Sequence, residues 1–345
     1  MSEAPTPASS FASDVLAPLV RGEDLHRDVA RAGLAEVLEG RVEPVLVAGF
    51  LTALTAKGES TEEMTGFIDA MVAAASTFSI GADAIDIVGT GGDQLHTVNV
   101  STMAALAVAG CGVPVAKHGN RSATSSVGSA DLLEALGVRL DTPPDVVRAC
   151  VAEAGIGFLF APTYHHALAH LAPIRRALGF RTIFNVLGPL ANPALVERTL
   201  VGVAQPRLLD PMAQVLRARG IRHAILVSAD DGLDELSLGS TSTLVTVADD
   251  GVVASRLDAG ELLSRHHDAT TLRGGGVADN VASVRRFLAG ELGAVFDVTC
   301  ANAALALIVA GRARTLEQGF EMASKSVLDG HAAAALERLV AVSNS

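Results

Sequence analysis

The first eighty residues carry a helical period. In "DLHRDVARAGLAEVLEG", Leu25, Val29, Leu34 and Val37 fall on or near one face, and the run stops at Gly40. "EPVLVAGFLTALTAKG" follows and stops at Gly58. "STEEMTGFIDAMVAAAS" then opens on Ser60 with Glu63 three residues later, the pattern of a capping box. These runs predict a small all-helical domain over residues 11–80, preceded by a disordered tail at 1–10. After Gly81 the texture changes. "AIDIVG" and "VPVAKHG" are short β-branched runs, each followed by a helical pattern, "VNVSTMAALAVAG" and "GSADLLEALG". "HAILVSADDGLDE" repeats the strand-then-loop theme later in the chain. Strands alternating with helices predict a large α/β domain over residues 81–345 with a mainly parallel central sheet. Ligands are expected at the loops beyond the carboxyl ends of such strands. A helical segment near residues 165–190 is expected to join the small domain, with the site in the cleft between the two.

Composition narrows the function classes. Of 345 residues 49% are apolar, with no Trp and one Tyr, which is ample for a core of helices on a sheet without metal or disulfide staples. The formal net charge of −12 argues against a nucleic-acid or anionic-membrane binder, yet leaves room for a small anion in a local cationic pocket. Cys111, Cys150 and Cys300 form no CxxC pair and read as buried thiols in a reducing cytoplasm. The amino-terminal "MSEAPTPASS" lacks the features of a signal peptide. The longest apolar stretches, such as Met103 to Ala116, are broken by glycine and proline and are too short to span a bilayer. A soluble, cytoplasmic protein is expected.

Four stretches carry candidate chemistry. "GTGGDQLHTVNVST", Gly89 to Thr102, bares the backbone and then supplies Asn99, Ser101 and Thr102 at a helix start. Such a loop suits a phosphate, though a tight strand-to-helix turn has the same look. It is neither a G-x-G-x-x-G dinucleotide fingerprint nor a P-loop. "KHGNRSATSSVGSADLLEALG", Lys117 to Gly137, gathers cationic and hydroxyl groups after a strand, as a ligand with more than one phosphate requires. Asp234 and Glu235 in "DDGLDELSLGS" offer adjacent hard oxygen donors for Mg²⁺, or form a plain acidic turn. Arg175, in a segment that also holds His165 and the turn "NVLGPLANP", is a candidate clamp for a carboxylate. No G-x-S-x-G, H-E-x-x-H or reactive cysteine context occurs, so the chemistry needs no protein nucleophile.

In order along the chain, "GTGGD", "NVST", "KHGNR", "GSADLLEALG", "RTIFNVLGPLANP" and "DGLDELS" resemble the anthranilate phosphoribosyltransferases of tryptophan biosynthesis. The likeness runs from about residue 11 to residue 340 and includes "NAALALIVAGRARTLEQG". The resemblance implies attack of the anthranilate amine on C1 of phosphoribosyl pyrophosphate, with Mg²⁺, two ions by expectation, and a homodimer formed through the helical domain. It implies that Gly89, Gly92 and Asp93 cradle the pyrophosphate. Thr97, Asn99, Val100, Ser101 and Thr102 would hold phosphates, and Ser101 would also touch Mg²⁺. Lys117, His118, Gly119, Asn120, Arg121 and Ser122 would complete the donor site together with Ala123, Thr124, Ser125 and Ser129. Asp234 and Glu235 match the metal-binding acids. Asn120 and Arg175 match the anthranilate residues, with Gly89, His118, His165 and Gly188 as neighbours.

Three positions depart from the family pattern. His166 stands where proline is usual, Leu168 where methionine or tyrosine is common, and Gln94 where glycine is common. The first two bear on acceptor specificity and the third on loop flexibility. Two rival readings stand beside this one: a pyrimidine nucleoside phosphorylase-like enzyme, against which the Asp234-Glu235 pair and Arg175 argue, and a non-catalytic relative that binds nucleic acid, against which the charge of −12 and the full set of site residues argue.

Overall fold

The computed structural model describes residues 10–81, 83–92, 95–122 and 127–345. The tail expected at 1–10 therefore lies outside the described residues except for Ser10. The chain divides into two compact units, one of residues up to Thr77 with Tyr164–Pro193, the other of Phe78–Thr163 with Ala194–Ser345.

The first unit is helical. Its main helices are Arg27–Leu38, Pro44–Lys57 and Thr61–Ala73, and two short turns at Ala12–Leu16 and Ala17–Val20 precede them. Phe11, Phe50 and Phe67 stack edge to face in the core, with centroids 5.8 and 5.7 Å apart. The capping box is present: Ser60 Oγ accepts the Glu63 amide at 3.2 Å and Glu63 Oε2 accepts the Ser60 amide at 2.8 Å. Glu63 is fully buried, and it also accepts the Leu25 amide at 3.0 Å and the Lys57 ammonium at 2.9 Å. That carboxylate ties two helices and a loop together. At Gly66 a side chain would overlap the Arg27 carbonyl, so only glycine lets Arg27–Leu38 and Thr61–Ala73 approach this closely. Tyr164–Pro193 adds the short helices Ala172–Leu178 and Phe184–Leu187 to this unit.

The second unit is built on a seven-stranded sheet. Its strands are β1 (Ile85–Gly89), β2 (Val115–Gly119), β3 (Ile156–Phe160), β4 (Arg198–Gly202), β5 (His223–Ala229), β6 (Ser242–Ala248) and β7 (Gly251–Leu257). The order is β3-β2-β1-β4-β5-β6-β7. The first five are parallel, while β6 and β7 run antiparallel at one edge. The order reverses direction at β1, between β2 and β4, which is where an open α/β sheet leaves a crevice beyond its strand ends. The loops after β1, β2 and β5 all emerge at that same edge.

Alanine-rich helices cover the sheet. Val100–Gly110 and Ala294–Val309 are buried almost all round, so both read as continuous apolar runs rather than as one-sided stripes. The helix His331–Ser343 packs against Pro144–Ala154 and Val100–Gly110. Beyond it, Asn344 Nδ2 donates to the Gly137 carbonyl at 2.9 Å. Cys150 and Cys300 are buried and Cys111 half-buried, all as free thiols. Burial pushes Cys150 up to about 11 and Cys300 up to about 12, so these thiols stay protonated and unreactive. Among the described residues no helix is long and apolar enough to cross a membrane.

Candidate active site

Strand β1 delivers the glycine loop. Gly91 and Gly92 have φ of +62° and +82°, the left-handed region where a side chain would be strained. Gly89 is bare for a different reason: a Cβ there would lie 2.8 Å from Asp234 Oδ2. That same oxygen accepts the Gly91 amide at 2.7 Å. Gly202, at the end of β4, has no room for a side chain because the Asp234 carbonyl occupies it. Two strand ends and one amide therefore seat Asp234, which is 8% exposed, directly on the glycine loop. Two motifs 143 residues apart in sequence form one site.

Lys117 links this pair to the following helix. It lies in β2 with 1% exposure, and its ammonium donates to the Ile87 carbonyl at 2.5 Å and to Ser101 Oγ at 3.3 Å. Burial drives its pKa down, while Asp86 and Glu235 oppose that shift. Glu235, Lys117 and Ser101 thus share one electrostatic neighbourhood. Asp86 is itself fully buried in β1 and accepts the His118 amide at 3.1 Å. Sequence reasoning passed over Asp86; a lone acid inside an otherwise apolar strand was the available signal.

The segment before the helix start is braced from a distant part of the chain. Thr97 pairs with Arg273 in an isolated bridge, and the Val98 amide donates to the Leu272 carbonyl at 2.9 Å. Asn99 caps the helix by position only; its carboxamide donates to Asn280 Oδ1 at 3.1 Å and to the Val127 carbonyl at 3.4 Å. Val100 and Thr102 turn inward and are buried, whereas Ser101 is half-buried at the helix start. Of the hydroxyls expected there, Ser101 is the one that meets Lys117.

The loop after β2 folds back on itself. A side chain at Gly119 would strike Ser129 Oγ, and one at Gly128 would strike the backbone of Asn120 and Ser122. Asp131 closes the loop by accepting the amides of Ser122 at 3.1 Å and Gly128 at 3.0 Å. Burial raises the Asp131 pKa, but these amides and Arg121 outweigh it and the net shift is downward. The Arg121 guanidinium is engaged by Asp131 and Glu134 and lies 5.6 Å from the Phe160 ring centroid. Asn120 is exposed, and its Oδ1 accepts the Arg121 amide at 2.7 Å. Asp93, Gln94, Ala123, Thr124 and Ser125 lie outside the described residues.

The remaining predicted residues belong to the helical unit. Arg175 is half-buried, 5.4 Å from the Phe184 centroid and 3.5 Å from Asn185 Oδ1. Burial lowers its pKa, yet a guanidinium stays charged throughout the physiological range. Asn185 also accepts the Thr182 amide at 3.0 Å, so the oxygen that faces Arg175 is held in place. His165 is buried, with Nε2 3.0 Å from the Ala191 carbonyl. Burial depresses its pKa, and the neutral ring donates from Nε2. Gly188 opens a short helical turn with no atom near its missing Cβ. His166 is exposed and Leu168 half-buried.

Known proteins resemble this chain along nearly its whole length. The family described as "Glycosyl transferase family, helical bundle domain" matches residues 13–75, and "Glycosyl transferase family, a/b domain" matches residues 81–333. Anthranilate phosphoribosyltransferase of Thermomicrobium roseum is 46% identical over 336 residues, covering 96% of this chain and 97% of that one. The Agrobacterium fabrum enzyme of the same name is 44% identical, covering 96% of each. The crystal structure of anthranilate phosphoribosyltransferase from Thermus thermophilus superposes with a TM-score of 0.89 at 41% identity, covering 96% of this chain and all of that one. The Saccharomyces cerevisiae enzyme in complex with PRPP and Mg gives 0.89 at 25% identity, covering 98% of this chain and 99% of that one. With both domain models matched in order and such identity across the full length, the chain belongs to the anthranilate phosphoribosyltransferase family of glycosyl transferases.

Proposed function

We infer that this chain transfers the 5-phosphoribosyl group of phosphoribosyl pyrophosphate to the amine of anthranilate, releasing pyrophosphate. The observation that carries the reading is the seat of Asp234 on the Gly91 amide, which joins an anion-binding loop to the acid pair. The reaction passes through an oxocarbenium-like state at the anomeric carbon. Its leaving group is already stable, so catalysis rests on positioning and on charge rather than on a nucleophile.

Each group has a part in that scheme. The glycine loop and the start of Val100–Gly110 present amides to phosphate oxygens. Lys117 holds Ser101 Oγ in place and sets a positive charge beside it. Arg175 clamps the carboxylate of anthranilate, and the held Asn185 orients the clamp. The aniline nitrogen is weakly basic, so attack needs no prior deprotonation.

The donor set suits Mg²⁺. Asp234 and Glu235 are adjacent carboxylates, and among the described residues no three His, Cys, Asp or Glu side chains gather into a cage. A hard cation held by one or two carboxylates fills its remaining positions with water and substrate oxygens. When bound, Mg²⁺ neutralises charge on the departing pyrophosphate. Two ions form the proposed complement, with Asp234, Glu235 and Ser101 as the protein ligands.

Loss of anthranilate fluorescence in the presence of phosphoribosyl pyrophosphate and Mg²⁺ tests the reading. Turnover should be abolished by EDTA. Arg175→Ala should raise the anthranilate KM by about tenfold to a hundredfold, the equivalent of ~1.5–3 kcal/mol for a hydrogen bond to a charged group. No turnover from folded protein that binds the donor would overturn the choice of acceptor. The enzyme works in the cytoplasm as a homodimer through its helical unit; light scattering should give twice the 35.3 kDa of one chain.

A further inference from the structure

Asn302 sits on Ala294–Val309 among Val298, Cys300, Ala301, Ala303 and Leu305, and is fully buried. A carboxamide in such surroundings is costly unless its hydrogen bonds are made. They are made to one place in particular. Oδ1 accepts the Leu236 amide at 2.8 Å, and Nδ2 donates to the Leu236 carbonyl at 3.0 Å and to the Val298 carbonyl at 2.9 Å. Asn302 thus pairs with both polar groups of one residue, as a neighbouring strand would. Leu236 directly follows Asp234 and Glu235. On the other side of the acids, Gly91 bonds Asp234 and Gly202 admits its backbone.

We propose that Asn302 is a positioning residue for the acid pair, clamping Leu236 so that the carboxylates of Asp234 and Glu235 are held in register for a divalent cation. It touches neither substrate nor metal. Ala294–Val309 is in turn anchored by Asp297, which accepts Arg265 at 2.9 Å and lies 2.7 Å from His267 Nε2. The clamp therefore hangs from a rigid helix, the kind of support that a preorganised site needs. The inference rests on the assignment of the acid pair to Mg²⁺ in the proposed function.

Its test is Mn²⁺ binding to the full chain, read by electron paramagnetic resonance in the presence of pyrophosphate. Asn302→Leu keeps the side-chain size and removes all three bonds; it should raise the Mn²⁺ Kd by about tenfold to a hundredfold. At saturating Mg²⁺ its anthranilate KM should stay at the wild-type value. Asn302→Asp keeps an acceptor for the Leu236 amide and regains a donor only when protonated. Its Kd relative to wild type should therefore narrow as the pH falls, a trend that a packing defect does not produce. Wild-type Mn²⁺ affinity in folded Asn302→Leu would overturn the inference. So would failure of both variants to fold, which would make Asn302 a structural residue only. If the wild-type chain itself showed no Mn²⁺ site and no Mg²⁺-dependent turnover, the proposed function would fall, and the inference with it.

Discussion

A methyl group added at Gly202 would overlap the carbonyl oxygen of Asp234. That glycine is not in the left-handed region; it is bare because another loop passes through its space. Gly202→Ala should therefore cost about 1–3 kcal/mol of stability by overpacking and raise the Mg²⁺ half-saturation concentration. Denaturant melts and a Mg²⁺ titration of turnover read the two effects separately. Lys117 carries a prediction about pH. Its folded pKa lies below the ordinary lysine value of 10.5, so the unfolded chain binds the extra proton between the two values and stability rises with pH across that window. Lys117→Met would leave the buried Asp86 carboxylate without the cation beside it, so stability should fall at neutral pH and donor binding should be lost. Calorimetry across pH checks the sign. At this scale the sequence announced the glycines, Lys117, Arg175 and the acid pair through their motifs. Asn302, Asn280 and Asn185 were silent because their roles depend on partners that only the folded chain brings to them. The one available cue for Asn302 was an amide inside the apolar run "CANAALALIVA".

The helix Thr61–Ala73 was legible down to its first turn because a capping box is a local pattern. Its Glu63, however, also holds Leu25 and Lys57, and only the packed helices reveal that. Glu63→Ala would leave the Leu25 amide without its acceptor and the Lys57 ammonium, whose side chain is 8% exposed, to the exposed Asp24 alone among the described carboxylates that pair with it. A loss of about 3–5 kcal/mol is expected, against about 1 kcal/mol for Ser60→Ala, which removes only the cap. Urea unfolding of the two variants distinguishes cap from buried pair. Among the strands, β1, β2 and β5 stood out because a glycine-rich or polar loop punctuates each. Strands β3, β4, β6 and β7 carry no such mark. The segments of β3 and β4, IGFLF and RTLVG, are five residues each, too short to show a period. Strands β6 and β7 pair through a two-residue turn at Asp249 and Asp250, with Ala248 opposite Gly251.

The α/β unit is discontinuous, interrupted by the segment Tyr164–Pro193 that packs with the helical unit. Periodicity could announce a helical segment there, but its partners are set by tertiary packing. The distribution of candidate groups follows from this arrangement. The residues proposed for phosphate and metal lie on strand-end loops of the sheet, whereas Arg175 and His165 belong to the helical unit. Pyrophosphate with Mg²⁺ should therefore protect residues 89–101 and 230–241 from hydrogen exchange. A concentration of about 100 times Kd corresponds to roughly 2.7 kcal/mol of added stability.

The helix His331–Ser343, which packs on Val100–Gly110 and Pro144–Ala154, is made by the ribosome after everything it covers. Until it emerges, Ser343 cannot accept the Arg139 amide, and the alanine-rich surface beneath has no lid. The sheet is thus synthesised long before it can be sealed. A chain ending at Gly330 should bind a hydrophobic dye and aggregate even though it carries every residue assigned to catalysis, and native levels of soluble product from that truncation would contradict this. In a cell, the nascent chain would reach its fold only once His331–Ser343 has been translated.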